Sequence, residues 1–169
     1  YNHIYHYDFS GKLINQITKG DFPVGNIENV DQKNKKIYFT AYQNMGLDSY
    51  FYSINMNGKN MVKLSHGDGR HSVSMNEAGE YYVCTHSSFA SPYEGNLYNN
   101  EGKMIRNVMK ADISNVNEAG LEKPEFTTMM AADGETELPV LIYKPKDFDP
   151  SKKYPVLLPL YGGPGYQDV

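Results

Sequence analysis

The chain has no tryptophan and a single cysteine, Cys84, among 169 residues. One thiol cannot build an internal disulfide framework or a cysteine-rich zinc site. Long apolar runs are also missing. The densest, Val156 to Tyr161, is interrupted by Pro159 and falls far short of the ~20 residues a helix needs to cross a bilayer. No membrane span is therefore expected, and no signal-peptide pattern is visible. An excess of positive charge is absent as well: 16 lysines and arginines against 20 aspartates and glutamates give a net charge of −4. Binding along a nucleic-acid backbone needs a concentrated basic face, so no nucleic-acid partner is expected. With 40% hydrophobic and 13% aromatic residues, the chain can still bury a real core.

What is present is tyrosine, 15 of them, set in short runs with Ile, Val and Phe and separated by Gly, Asn, Asp and Ser. This pattern reads as β-structure over residues 1–108. Strands are predicted near 3–9, 13–18, 25–30, 36–42, 49–55, 60–65, 71–75, 80–86, 94–99 and 103–107. They are ordered by an internal repeat. A Gly-Lys turn stands at Gly11-Lys12, Gly58-Lys59 and Gly102-Lys103, spaced 47 and 44 residues apart. Tyr5-His6-Tyr7 precedes the first turn, Tyr50-Phe51-Tyr52 the second and Leu97-Tyr98 the third. Ile17-Thr18-Lys19-Gly20 comes after the first and Leu64-Ser65-His66-Gly67 after the second. Four short antiparallel strands every 40 to 50 residues are the pattern of a β-propeller blade. A twisted sheet or small sandwich with chance turn similarity is the plainer alternative.

The pattern changes at Met109 to Glu122, which reads as a short helix or linker. The expected division is 1–110 for the blades, 111–122 for the linker and 123–169 for a second, different domain. Three strands are expected there. Glu125 to Ala131 and Glu137 to Lys144 flank Asp133-Gly134, a hairpin signal. Tyr154 to Tyr161 is nearly continuously apolar, as for a strand buried on both faces of an α/β sheet. The five histidines make no convincing set. His3 and His6 point to opposite faces of one strand, and His66 and His71 flank the Gly67-Asp68-Gly69-Arg70 turn. Asp68 reads as a turn residue, and Cys84 as a buried small residue rather than a nucleophile. Tyr50, Tyr52, Tyr81 and Tyr82 read as blade-to-blade packing. No serine has glycines two before and two after it, so the chain carries no nucleophile elbow.

The stretch Asp149-Pro150-Ser151-Lys152-Lys153-Tyr154-Pro155, running on through Tyr161-Gly162-Gly163-Pro164-Gly165, resembles the entry to the α/β-hydrolase domain of the prolyl oligopeptidase family. Its dipeptidyl peptidase IV branch and bacterial relatives are the most similar. Ile17-Thr18-Lys19-Gly20 with Phe22 and Val24, and Phe148 ahead of Asp149-Pro150, resemble the same family. The resemblance implies a mainly β chain: about two four-stranded blades ending a propeller, then the first strands of a hydrolase domain. It implies a segment of a serine exopeptidase that releases dipeptides, with proline or alanine second, through an acyl-enzyme. Tyr161 would donate its hydroxyl proton to the oxyanion, on a loop shaped by Gly162, Gly163 and Pro164. The triad would lie beyond Val169 and the acidic groups that hold the substrate's amino terminus before Tyr1, so the segment alone is expected to be inactive. No cofactor or metal is implied. Peptide substrates, self-association through exposed blade edges, and a periplasmic or exported bacterial location are expected. A propeller acting purely as an interaction module is the alternative, and it leaves Tyr161-Gly162-Gly163-Pro164 unexplained.

Overall fold

The structure, a computed structural model, describes residues 1–89, 91–120 and 122–159. Within Tyr1–Ala111, a compact unit, the strands are β1 (Tyr5–Tyr7), β2 (Leu13–Gln16), β3 (Val24–Asp31), β4 (Lys36–Gln43), β5 (Asp48–Asn55), β6 (Val62–Lys63), β7 (Arg70–Met75), β8 (Tyr81–Ser87), β9 (Glu94–Asn99) and β10 (Met104–Lys110). Each of the ten expected strands has its counterpart. β3 to β6 form one antiparallel meander and β7 to β10 a second. A single parallel pairing, Ser49 with Arg70, joins β5 to β7. The eight-stranded sheet is thus two four-stranded blades, and β1–β2 is a separate hairpin.

The repeat is real in three dimensions. Each Gly-Lys turn closes a hairpin with the same pair of backbone bonds. Gly11 N–H donates to the Asp8 carbonyl, Gly58 to Asn55 and Gly102 to Asn99. Asp8, Asn55 and Asn99 in turn donate to the carbonyls of Lys12, Lys59 and Lys103. A hydroxyl residue shortly after the first two turns also plays one role twice. The Thr18 hydroxyl accepts the buried Ile4 N–H at 2.8 Å, and the Ser65 hydroxyl accepts that of Phe51 at 3.1 Å.

Strand alternation supplies two cores. Ile37, Phe39 and Ala41 of β4 and Tyr50, Tyr52 and Ile54 of β5 face one way, packing on Ile4, Ile17, Phe22 and Val24. The residues between them, Tyr38 and Phe51, face the other way and meet Leu64, Tyr82, Cys84 and Tyr98. The first blade is therefore covered on both faces, one of them by the second blade. Tyr82, 1% exposed, shows how a phenol is buried without leaving its donor unpaired: its hydroxyl donates to the Leu64 carbonyl at 2.9 Å. By contrast, every residue of β10 is exposed, leaving an open strand edge.

From Asp112 the chain forms a second compact unit. A single helical turn, α1 (Ser114–Glu118), begins where the Asp112 carboxylate accepts the Ser114 N–H at 2.9 Å. β11 (Glu125–Met130) and β12 (Glu137–Ile142) pair in unbroken register from Glu125↔Ile142 to Met130↔Glu137. The Asp133 carboxylate organises their turn, accepting the Glu135 and Thr136 N–H groups and the Thr136 hydroxyl. These bonds to the charged form hold the Asp133 carboxyl down at about 2.

The third expected strand is a correction. Tyr154–Pro159, the described part of that run, is not a strand, and Val156, Leu157 and Leu158 are 88%, 91% and 72% exposed. A strand buried on both faces exists only with neighbours to pair it and helices to cover it. Among the described residues β11 and β12 pair only with each other, so nothing recruits this run. Its start is held locally instead: the Phe148 and Tyr154 rings stack at 5.2 Å, and the Tyr154 hydroxyl accepts the Asp149 N–H at 3.0 Å.

Candidate functional site

The expected site residues Tyr161, Gly162, Gly163 and Pro164 lie outside the described residues. The polar groups that do converge lie where the two blades meet. There β5 meets β7 through the parallel pairing of Ser49 with Arg70. Ser49 is the staple. Its hydroxyl donates to the His71 carbonyl and accepts the His71 N–H, both at 2.9 Å. Gly69 N–H donates to an Asp48 carboxylate oxygen at 3.0 Å, and its carbonyl accepts the Ser49 N–H.

His71 sits inside this junction, 5% exposed. Its Nδ1 lies 2.7 Å from the Ser49 carbonyl oxygen and its Nε2 2.8 Å from that of His66. Its ring stacks on His86 at 4.5 Å and tilts against Tyr50 at 5.5 Å. Burial pushes the His71 imidazole below its ordinary value, although the two carbonyls pull the other way. His66 and His71 do approach across their turn, but through the His66 backbone. The His66 ring instead stacks on Tyr98 and reaches the Gly102 carbonyl at 2.9 Å. His86 Nε2 lies 2.6 Å from the Asp68 carbonyl oxygen, and the Asp68 carboxylate accepts the Tyr50 hydroxyl at 3.0 Å. Burial, helped by that bond, raises the Tyr50 phenol. His3 belongs elsewhere, its Nδ1 3.2 Å from the Thr18 hydroxyl. Among the described residues no group of three His, Cys, Asp or Glu side chains could hold a metal ion. Cys84 is buried, and burial raises its thiol to about 12, leaving it inert as a nucleophile.

Beside the junction, β3 and β7, the first strands of the two blades, approach each other. Between them runs a groove of about 320 Å³ whose walls include Glu28, Tyr42, Arg70, Ser72 and Tyr93. The Arg70 guanidinium lies 5.5 Å over the Tyr42 ring, and its Nη1 donates to the Gly46 carbonyl at 3.2 Å. Glu28 is half-buried on β3, and that burial raises its carboxyl. The pairing of His71 with His86 arises from the β7–β8 register, which spacing alone did not reveal. Nor did any sequence signal single out Glu28. Arg70 was visible only as part of a turn.

Comparison with known proteins decides the family. Residues 1–93 match the family model described as the dipeptidyl peptidase IV N-terminal region. The chain belongs to this dipeptidyl peptidase IV family. Dipeptidyl peptidase 4 of Trichophyton rubrum is 34% identical over 173 residues, covering 99% of this chain and 22% of that protein. The probable dipeptidyl peptidase 4 of Emericella nidulans is 28% identical over 100% of this chain and 22% of its own length. Among solved structures, Porphyromonas gingivalis dipeptidyl peptidase 4 superposes with a TM-score of 0.77 at 29% identity, covering 90% of this chain and 22% of that one. A putative dipeptidyl aminopeptidase IV from Bacteroides ovatus gives 0.72 at 28%, over 91% and 23%. The chain thus spans about 22% of the length of the dipeptidyl peptidases it matches. The mainly β architecture, read from the repeat as propeller blades, is the fold of the family. No helix among the described residues is long and apolar enough to cross a membrane.

Proposed function

We propose that this chain is part of a serine exopeptidase that removes dipeptides from peptide amino termini, with proline or alanine in the second position. One observation carries the reading: the likeness to dipeptidyl peptidases 4 runs through 99% of the chain, across the blades and on through the Tyr161-Gly162-Gly163-Pro164 stretch. In this reading residues 1–110 close a propeller, 111–122 link, and 123–169 open the catalytic domain. The boundary between compact units after Ala111 supports that division. The protein is exported and acts on peptides.

The role of Tyr161 is to donate its phenolic O–H to the oxyanion that forms when the substrate carbonyl is attacked. Such a donor acts by strengthening as charge develops, and losing one typically lowers the rate about 10²–10³-fold. Gly162 and Gly163 let the backbone come close, and Pro164 stiffens the turn. No serine of the chain sits in a nucleophile elbow, so the segment alone does not turn over substrate: an oxyanion donor without nucleophile and base has nothing to stabilise. The test is hydrolysis of a Gly-Pro chromogenic substrate by the full-length protein that carries this chain, with and without Tyr161→Phe. The variant should lose about 10²–10³ in kcat with little change in KM. Unchanged turnover removes Tyr161 from the mechanism, and a wild-type protein that leaves the substrate intact removes the peptidase reading.

A further inference from the structure

The groove between β3 and β7 holds two opposite charges that do not satisfy each other. Glu28 and Arg70 both line it, yet the ion pairs among the described residues involve neither. The Glu28 carboxylate accepts no hydrogen bond from any described residue, although it is half-buried on β3. Its oxygens stay within reach of water, while partial burial of the side chain raises the carboxyl and leaves its acceptor positions open to a ligand donor. Arg70 is the opposite case. Its plane is fixed over Tyr42 and one N–H is spent on the Gly46 carbonyl. The rest of its donor fork remains for an acceptor. The wall is completed by hydroxyls and a second phenol, Ser72, Thr85 and Tyr93. These suit an amide backbone better than a purely apolar ligand.

We propose that this groove binds a short zwitterionic peptide, with Glu28 taking its ammonium group, Arg70 its carboxylate, and Tyr42 and Tyr93 flanking it. The space sets the length. About 320 Å³ is at the small end of ligand clefts, which run from roughly 300 to 1,000 Å³. Extended chain spans ~3.3–3.6 Å per residue, so a dipeptide separates its two charges by about 7 Å. Glu28 and Arg70 form no ion pair with each other, so a ligand that carries both charges can meet each of them separately. Choosing a dipeptide as occupant rests on the proposed peptidase reading, since it is what that reaction releases. The groove's preference for a ligand with two free ends rests on Glu28 and Arg70 alone.

The experiment is calorimetric titration of Ala-Pro, N-acetyl-Ala-Pro and Ala-Pro amide into the full-length protein and its Glu28→Gln variant. Wild type should bind Ala-Pro at least about tenfold more tightly than either blocked analogue, because each block deletes one charge-assisted contact. Glu28→Gln should bind Ala-Pro at least about tenfold more weakly and no longer distinguish it from the acetylated form. Equal binding of all three ligands, an unaffected Glu28→Gln, or no heat at about 10 mM ligand, where even millimolar association is largely complete, overturns the proposal. Thermal unfolding of the variant verifies that it is folded. If it is not, Arg70→Gln takes its place: it should bind Ala-Pro at least about tenfold more weakly and no longer distinguish it from Ala-Pro amide, and an Arg70→Gln that keeps the wild-type preference overturns the proposal. Hydrolysis of the Gly-Pro chromogenic substrate by the same preparations reports separately on the peptidase reading. Hydrolysis without Glu28-dependent binding sinks only the groove, and Glu28-dependent binding without hydrolysis sinks only the peptidase.

Discussion

Substituting alanine at Gly58 and at Gly11 separates what a turn demands from what a neighbouring blade demands. The two glycines hold equivalent places in successive hairpins, with φ of +77° and +84°. Either alanine must adopt a left-handed backbone, at a cost of about 1 kcal/mol. Around Gly11 that is the whole effect, because a Cβ there meets nothing within 4 Å. At Gly58 the Cβ falls 3.0 Å from the Ile17 carbonyl oxygen and 3.3 Å from that of Gln16. Both are backbone atoms at the end of β2, so neither can rotate away. Overpacking of this kind adds about 1–3 kcal/mol. The expectation is therefore ~1 kcal/mol for Gly11→Ala and ~2–4 kcal/mol for Gly58→Ala. Urea unfolding measures both, with the slope held constant to show that only stability changed. Equal costs at the two sites would refute the idea that the turn of one unit seats against the backbone of the unit before it.

Two further expectations concern the blade interface. Tyr82→Phe keeps the ring between Phe51 and Tyr98, at 4.7 and 5.1 Å, but removes the bond to the Leu64 carbonyl. It should cost about 1–3 kcal/mol, read as a lower midpoint in calorimetry, and a change under about 0.5 kcal/mol would mean that solvent reaches that carbonyl. For His71, burial depresses the folded-state value below the ordinary 6.5, so the unfolded chain binds protons more readily. The stability linked to it is complete above the unfolded value near 6.5 and is lost as pH falls through the depressed one. Urea unfolding at pH 7.5 and about 5 should show wild type losing more stability than His71→Gln. The opposite order would show that the carbonyls of Ser49 and His66, and not burial, govern the imidazole.

The blades were legible because backbone geometry restricts residue choice. A hairpin that needs a positive φ after Asp8, Asn55 or Asn99 accepts glycine and little else, so Gly11, Gly58 and Gly102 stand out at fixed spacing. The alternation in Ile37 to Ala41 and Tyr50 to Ile54 needed only a period of two. The run from Tyr154 misled for a related reason. Apolar continuity states that a segment can be buried on two faces, but burial is conferred by partners distant in sequence. Among the described residues β11 and β12 pair only with each other, and Tyr154–Pro159 joins neither.

The groove and the histidine junction were illegible because they occupy the positions where the repeat does not repeat. Thr18 and Ser65 share one role, each hydroxyl accepting a buried backbone N–H from the other arm of its hairpin. At the matching place in the third unit, Met109 pairs with Gly95 and offers no hydroxyl. The side-chain bond made there is of the opposite kind, the Asn107 amide donating to the Gly95 carbonyl at 3.2 Å. Positions imposed by the backbone, such as the turn glycines, stay fixed from unit to unit, while the others tolerate a change of residue. Glu28, Arg70 and His71 are drawn from the tolerant class. Each becomes chemically meaningful only once two blades are set side by side, so a ligand site at that seam is specified by the packing of the units and not by any one of them.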